Sequence, residues 1–163
     1  MPNTIQMARK LYSVDDATLV YRNFRGEARM YNNEGDRNFN LVLSAEKAAE
    51  LAEAGFRIKE KPSLDEFEEP RRMMIVKVSY RFRAPKVVVI SGANRYELDE
   101  DTIGELDYAD IEHVDLTIRP SYWHRPDGSS GVTAYLNSMY VTLTEDPYAE
   151  KYAASESSED IPF

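Results

Sequence analysis

Three stretches of this 163-residue sequence carry arginine or lysine among aromatic side chains. The first runs through Arg22, Phe24, Arg25, Arg29, Tyr31 and Arg37, the second through Lys77, Arg81 and Arg83, and the third through Arg119, Tyr122, Trp123 and Arg125. A guanidinium offers several N–H donors to a phosphate oxygen, and a neighbouring ring offers a flat face for another π system. Together they suit an anionic chain with unpaired bases, and stacking of this kind tolerates any base. Tyr31 and Trp123 fall in segments read as loops, where a ring can stay exposed. Phe39, Tyr80 and Phe82 fall on faces read as core.

Other chemistries find no support. The chain has no cysteine, which removes disulfides, thiolate metal sites and cysteine nucleophiles. Its two histidines, His113 and His124, have no ligand-type spacing, and Ser91-Gly92-Ala93-Asn94 lacks the lysine and spacing of a phosphate loop. No nucleophile elbow or catalytic triad is discernible. The sequence thus predicts a protein that is not an enzyme and needs no metal or cofactor.

The net charge of −9 is unevenly spread. From Arg71 to Arg95 there are seven bases and no acid, and from Glu97 to Asp115 nine acids and no lysine or arginine. From Glu145 to the end, six acids face a single base. A basic face can therefore bind phosphates on an acidic protein. The alternative is an acidic DNA mimic or protein-interaction module that occupies the DNA site of another protein.

The elements that must position these residues are mostly strands. Thr18–Arg25 and Arg37–Leu43 read as an antiparallel pair joined by a long loop with an Asn-Asn-Glu-Gly turn signal. Ser44 caps a helix of about three turns that Gly55 stops, and a strand is expected over 56–61. From Met73 to Arg83, Val76, Val78, Tyr80 and Phe82 alternate with Lys77, Ser79, Arg81 and Arg83, which predicts one apolar and one basic face. Lys86–Ile90 reads as a buried strand, Asp99–Asp110 as short helical turns, and Val114–Arg119 as a half-buried strand. Pro120–Ser130 reads as a loop. Gly131–Thr144 is the last strand, and its alternation slips phase at Asn137-Ser138 as a β-bulge would cause. Six or seven short strands and one helix predict a mainly β fold, an elaborated OB-type β-barrel. The helix comes earlier than in the usual OB order, and a flat α+β sandwich is the alternative. Residues 1–17 are expected to fray, 18–144 to form the domain, and 145–163 to be a disordered acidic tail.

The tail ends Asp160-Ile161-Pro162-Phe163 after a run of Ser and acids. Physically this is a portable hook, with an apolar tip, a terminal carboxylate and acids that steer the encounter. It resembles the tip of bacterial single-stranded DNA-binding proteins. The body, from about residue 19 to 152, resembles phage and prophage single-stranded DNA-binding proteins through several segments. They are Tyr21-Arg22-Asn23-Phe24, Tyr31–Phe39, Leu106–Asp110, Val114–Pro120 and Tyr135–Thr142. The resemblance implies an OB-fold, sequence-independent binding of single-stranded DNA in phage replication or recombination, and recruitment of partner enzymes through Asp160, Ile161, Pro162 and Phe163. A cytoplasmic address in the bacterial host is expected, since no signal or membrane-spanning run appears. Homo-oligomerisation is left open.

Overall fold

The computed structural model describes residues 10–145. Nine strands, one α-helix and one 3-10 turn make up this region. The strands are β1 (Tyr12–Val14), β2 (Thr18–Asn23), β3 (Arg37–Leu43), β4 (Lys59–Lys61), β5 (Arg71–Val78), β6 (Lys86–Ser91), β7 (Asn94–Leu98), β8 (Ile111–His124) and β9 (Ser130–Leu143). Helix α1 covers Ala45–Glu53 and the 3-10 turn Ile103–Asp107.

The strands join in the order β1-β8-β9-β5-β3-β2. All neighbours run antiparallel except β5 and β9, which meet in parallel at Lys77 and Tyr135. Because β1 leads directly into β2, this order closes on itself. The first strand pairs with β8 through Tyr12–Val14, turns at Asp16 (φ 49°), and then pairs with β3. The result is the closed five-membered ring expected of an OB-type barrel, with β1 and β2 acting as one bent strand. The lead-in read as frayed through residue 17 therefore holds a closing strand. Tyr12 and Val14 bury their side chains there, and Tyr12 meets Phe56 edge-on with centroids 5.3 Å apart. Three residues were too short a run for their alternation to stand out.

Inward positions follow the two-residue period of each strand. Phe39, Leu41 and Leu43 on β3, Met74, Val76 and Val78 on β5, Val114, Leu116 and Ile118 on β8, and Ala134, Leu136, Met139 and Val141 on β9 fill one core. The phase slip on β9 is a bulge. Thr117 pairs with Ser138 and Ile118 with Leu136, so Asn137 is the extra residue, and its Nδ2 donates to Thr117 Oγ1 at 3.0 Å. Helix α1 starts at the Ser44 cap, whose Oγ accepts from Lys47 N at 3.1 Å, and ends before Gly55 at φ 102°. It packs on the core through Ala48 and Leu51.

Three strand readings change. The strand expected over 56–61 is confined to Lys59–Lys61, with one isolated bridge at Phe56. Ser91–Asn94 closes a hairpin on Gly92 (φ 59°), adding β7, where the sequence suggested no strand. The loop expected over 120–130 is mostly strand, since β8 continues to His124 and β9 begins at Ser130. Pro120 lies beyond the end of β1, where β8 has lost its second partner and a missing N–H costs no ladder bond.

Candidate nucleic-acid interface

The outer face of the barrel carries a groove of about 1400 Å3. Its floor is the outward set of four strands: Asn38 and Asn40 on β3, Ile75 and Lys77 on β5, Tyr135 on β9, and Arg119 and Ser121 on β8. Two loops form its walls.

The first wall, residues 24–36, is built by short-range hydrogen bonds. Buried Asn23 accepts from Glu27 N at 2.9 Å and donates to Glu27 O at 3.0 Å. Gly26 sits against Gly35, where a Cβ would lie 3.0 Å from the Gly35 carbonyl carbon, and Gly35 N donates to Gly26 O. Arg29 and Asn32 exchange backbone bonds of 2.8 and 3.0 Å, so the tip is a tight turn. It presents Met30 and Tyr31, the latter 96% exposed. Asp107 anchors the base of the loop by accepting from the Phe24 and Arg25 amides. Just before it, a bulge in β2 puts Tyr21 at φ 51° and leaves its ring exposed on the groove.

The second wall is 79–83. The alternation in the sequence predicts a strand to Arg83 with Phe82 inward, but β5 ends at Val78. Val78 pairs with Arg37, the first residue of β3, so beyond it no partner strand maintains the alternation. Phe82 swings out and is 94% exposed, which corrects its reading as core. Tyr80 stays half-buried. Its hydroxyl is buried without a hydrogen-bond partner, and burial pushes its pKa up to about 12. It is a neutral phenol at any physiological pH.

Six basic and three acidic side chains line the groove, a local excess of cations on a chain of net charge −9. Arg37 is engaged structurally. Its guanidinium donates to the Phe24 and Arg25 carbonyls, lies 3.9 Å from Glu100, and covers the Tyr80 ring at 5.8 Å. Arg29 pairs with exposed Glu27 at 3.7 Å. Lys77, Arg81, Arg83 and Arg119 have no ion-pair partner among the described residues. Arg119 lies over the Tyr135 ring at 5.3 Å, with its Nε buried and unbonded.

Of the residues singled out in the sequence, Arg29, Tyr31, Arg37, Lys77, Arg81, Arg83 and Arg119 meet at this groove. Others do not. Phe24 is fully buried and stacked on Phe39 at 5.2 Å, so it cannot receive a base. Arg22 Nη1 is committed to the carbonyls of Leu106 and Ala109, at 2.8 and 2.9 Å, tying β2 to the 3-10 turn. Arg25 lies over the Tyr108 ring at 5.4 Å, away from the groove lining. Tyr122 shares the inward face of β8, its hydroxyl buried and its pKa raised by burial. Trp123 is in a strand rather than a loop. It follows Arg119 and Ser121 on the outer face of β8, beyond the groove lining, with Arg125 over its ring at 4.7 Å. Gly131, its cross-strand neighbour, provides the seat: a Cβ there would come 2.5 Å from Trp123 Cζ2. The tip residues Asp160, Ile161, Pro162 and Phe163 lie outside the described residues.

The aromatic groove residues missed in the sequence are Tyr21, Phe82 and Tyr135, whereas Tyr80 packs against the core as expected and also borders the groove. Tyr135 was legible, because it is out of phase with the buried Ala134 and Leu136. The other two depend on the bulge in β2 and the end of β5.

The chain is thus a closed, mainly β barrel of the OB class whose outer face carries a cationic, ring-lined groove. Residues 3–162 match the family described as "Putative phage ssDNA-binding domain", and the chain belongs to that family. It is a phage single-stranded DNA-binding protein, a non-enzymatic class. Among solved structures, it is similar to the single-stranded DNA-binding protein from bacteriophage Enc34 in complex with ssDNA. That match has a TM-score of 0.55 and 17% identity, covering 85% of this chain and 89% of the other. A second structure of the single-stranded DNA-binding protein from bacteriophage Enc34 gives a TM-score of 0.53 at 16% identity, covering 92% and 90%. The bacteriophage T7 protein gp2.5 gives 0.42 at 12% identity, covering 94% and 98%. No curated protein matches the sequence.

Proposed function

We propose that single-stranded DNA lies in the groove across β3, β5, β9 and β8 and is bound without sequence preference. The observation that carries this reading is the joint presence of exposed rings and of cations without ion-pair partners among the described residues around one open channel. Lys77, Arg81, Arg83 and Arg119 contact phosphates, while Tyr31, Phe82 and Tyr21 supply faces for bases. No array of fixed base-edge readers is needed, since ring faces accept every base. The outer row of β8 extends the track past the groove from Arg119 through Ser121 to Trp123. At about 3.3 Å per residue, Trp123 lies roughly 13 Å beyond Arg119.

The test joins two readouts. Anisotropy of a labelled oligothymidine, titrated at several salt concentrations beside a duplex control, reports binding. Quenching of Trp123, the only tryptophan, reports whether the strand reaches the end of β8. Salt-sensitive binding of single strands, with quenching only by the longer oligomers, is the expected result. Absence of binding at low salt would refute the groove as a DNA site.

The acidic tail supports a second element of the same reading. Asp160, Ile161, Pro162 and Phe163 recruit replication or recombination enzymes of the host, with Phe163 in an apolar pocket and a partner cation on the carboxylate. The tail also competes with DNA for the groove, because tethering gives it a high effective concentration. Deleting 153–163 then tightens DNA binding or leaves it unchanged, and a clear loss of affinity would overturn the competition.

A further inference from the structure

Among the described residues strand β7 bonds to β6 alone, and Asn94 to Glu97 are all exposed. It is five residues long, straight in register with β6, and free of proline. Such an edge is a template for another strand unless its charges forbid pairing. The charges here select one partner. The two-residue turn makes Ser91 and Asn94 the pair that exchanges both ladder bonds, so by alternation Tyr96 and Leu98 also bond towards β6. The N–H and C=O groups of Arg95 and Glu97 then face outwards.

Arg95 and Glu97 share one face of the strand and flank Tyr96 symmetrically. Neither has an ion-pair partner among the described residues. Arg95 is held on that face by the Tyr140 ring, 5.8 Å away. An antiparallel copy of the same strand centred on Tyr96 puts Arg95 opposite Glu97 of the second chain, and Glu97 opposite its Arg95. Both outward residues exchange backbone bonds in that register. A register centred on Arg95 sets arginine against arginine, and one centred on Glu97 sets glutamate against glutamate. Like charges directly opposite are unfavourable.

We infer that β7 is a self-pairing edge through which two copies of this chain form a two-fold dimer, with the Arg95–Glu97 pairs fixing its register. The contact is isologous, so it closes at two copies and does not propagate into filaments. It adjoins β6, which pairs with the 138–142 half of β9, whereas the groove uses β9 at Tyr135. Of the groove lining, Glu100, two residues past the end of β7, lies closest to this edge in sequence. Two five-residue strands make an interface at the small end of the known range, so the association is weak and concentration-dependent.

Sedimentation velocity of the full chain without DNA, at concentrations up to about 1 mM, reads dissociation constants of that order and tighter. The wild type is expected to show a monomer–dimer equilibrium. Glu97→Arg turns two attractive cross-strand pairs repulsive and is expected to weaken the dimer by about tenfold. The double variant Arg95→Glu/Glu97→Arg restores the complementary pairs and with them the wild-type constant. Circular dichroism melts establish that both variants, whose changes are exposed, remain folded. A wild type that is monomeric throughout, a dimer indifferent to Glu97→Arg, or one that the double variant fails to restore would each overturn the inference.

Discussion

Replacing Arg81 and Arg83 with alanine removes two of the four groove cations that lack an ion-pair partner among the described residues. Both are exposed on the second wall, so the barrel should melt as before. The magnitude follows from counterion release, where each neutralised phosphate of a single strand contributes a slope of about −0.7 in log K against log salt. With Lys77, Arg81, Arg83 and Arg119 engaged, the wild type has a slope of about −2.8 and loses about 50-fold in affinity between 50 and 200 mM salt. The double variant has a slope of about −1.4 and loses about sevenfold over the same range. At about 0.1 M salt the two proteins differ by roughly 25-fold, and the gap narrows as salt rises. The assay is anisotropy of a fluorescent oligothymidine across that range. Arg81→Lys with Arg83→Lys, which keeps the charge and changes the shape, should retain the wild-type slope. Equal slopes for the alanine variant and the wild type would refute the phosphate assignment. So would an affinity loss that is the same at every salt concentration.

The rings predict a different signature. Tyr31→Ala and Phe82→Ala should each weaken single-strand binding by about 1–3 kcal/mol with little change in salt slope and no change in melting temperature. Phe24→Ala should do the reverse, destabilising the fold by about 3–5 kcal/mol while the folded fraction binds DNA normally, as denaturant melts and titration would show. His113 bridges Asp16 and Asp115, at 3.1 and 2.9 Å, where the first strand bends. Hydrogen bonding to Asp115, together with the charges of both carboxylates, raises its pKa above the ordinary histidine value. The stabilisation it adds is therefore complete below that ordinary value, while Asp115 stays ionised, and is lost as pH rises through the raised one. An NMR titration should place His113 above 6.5, and His113→Gln should flatten the melting temperature across that window.

How much of this was legible in the sequence depended on how local its cause was. The core of β3, β5, β8 and β9 followed from two-residue alternation, since each strand's own pleat sets which side chains face inwards. The bulge at Asn137 showed as a slip in that alternation, and the helix showed through Ser44 and Gly55, whose backbone preferences are local. Lys77 and Arg119 were read as outward for the same reason. Their meeting in one groove was not legible, because β5 joins the β8–β9 hairpin only when the barrel closes. The alternation that points Phe82 into the core continues past Val78, but alternation has meaning only while a partner strand is present, and β3 begins at Arg37. Phe24 and Arg22 looked like binding residues by type. Tertiary contacts with Phe39 and with the carbonyls of Leu106 and Ala109 bury the one and occupy the other. Tyr21 reached the groove only through a left-handed backbone angle that nothing in its residue type announces. By itself the sequence determined the pleats, the turns and the supply of cations and rings. Closure of the barrel decided which of them share a surface, because that depends on contacts between residues far apart in the chain.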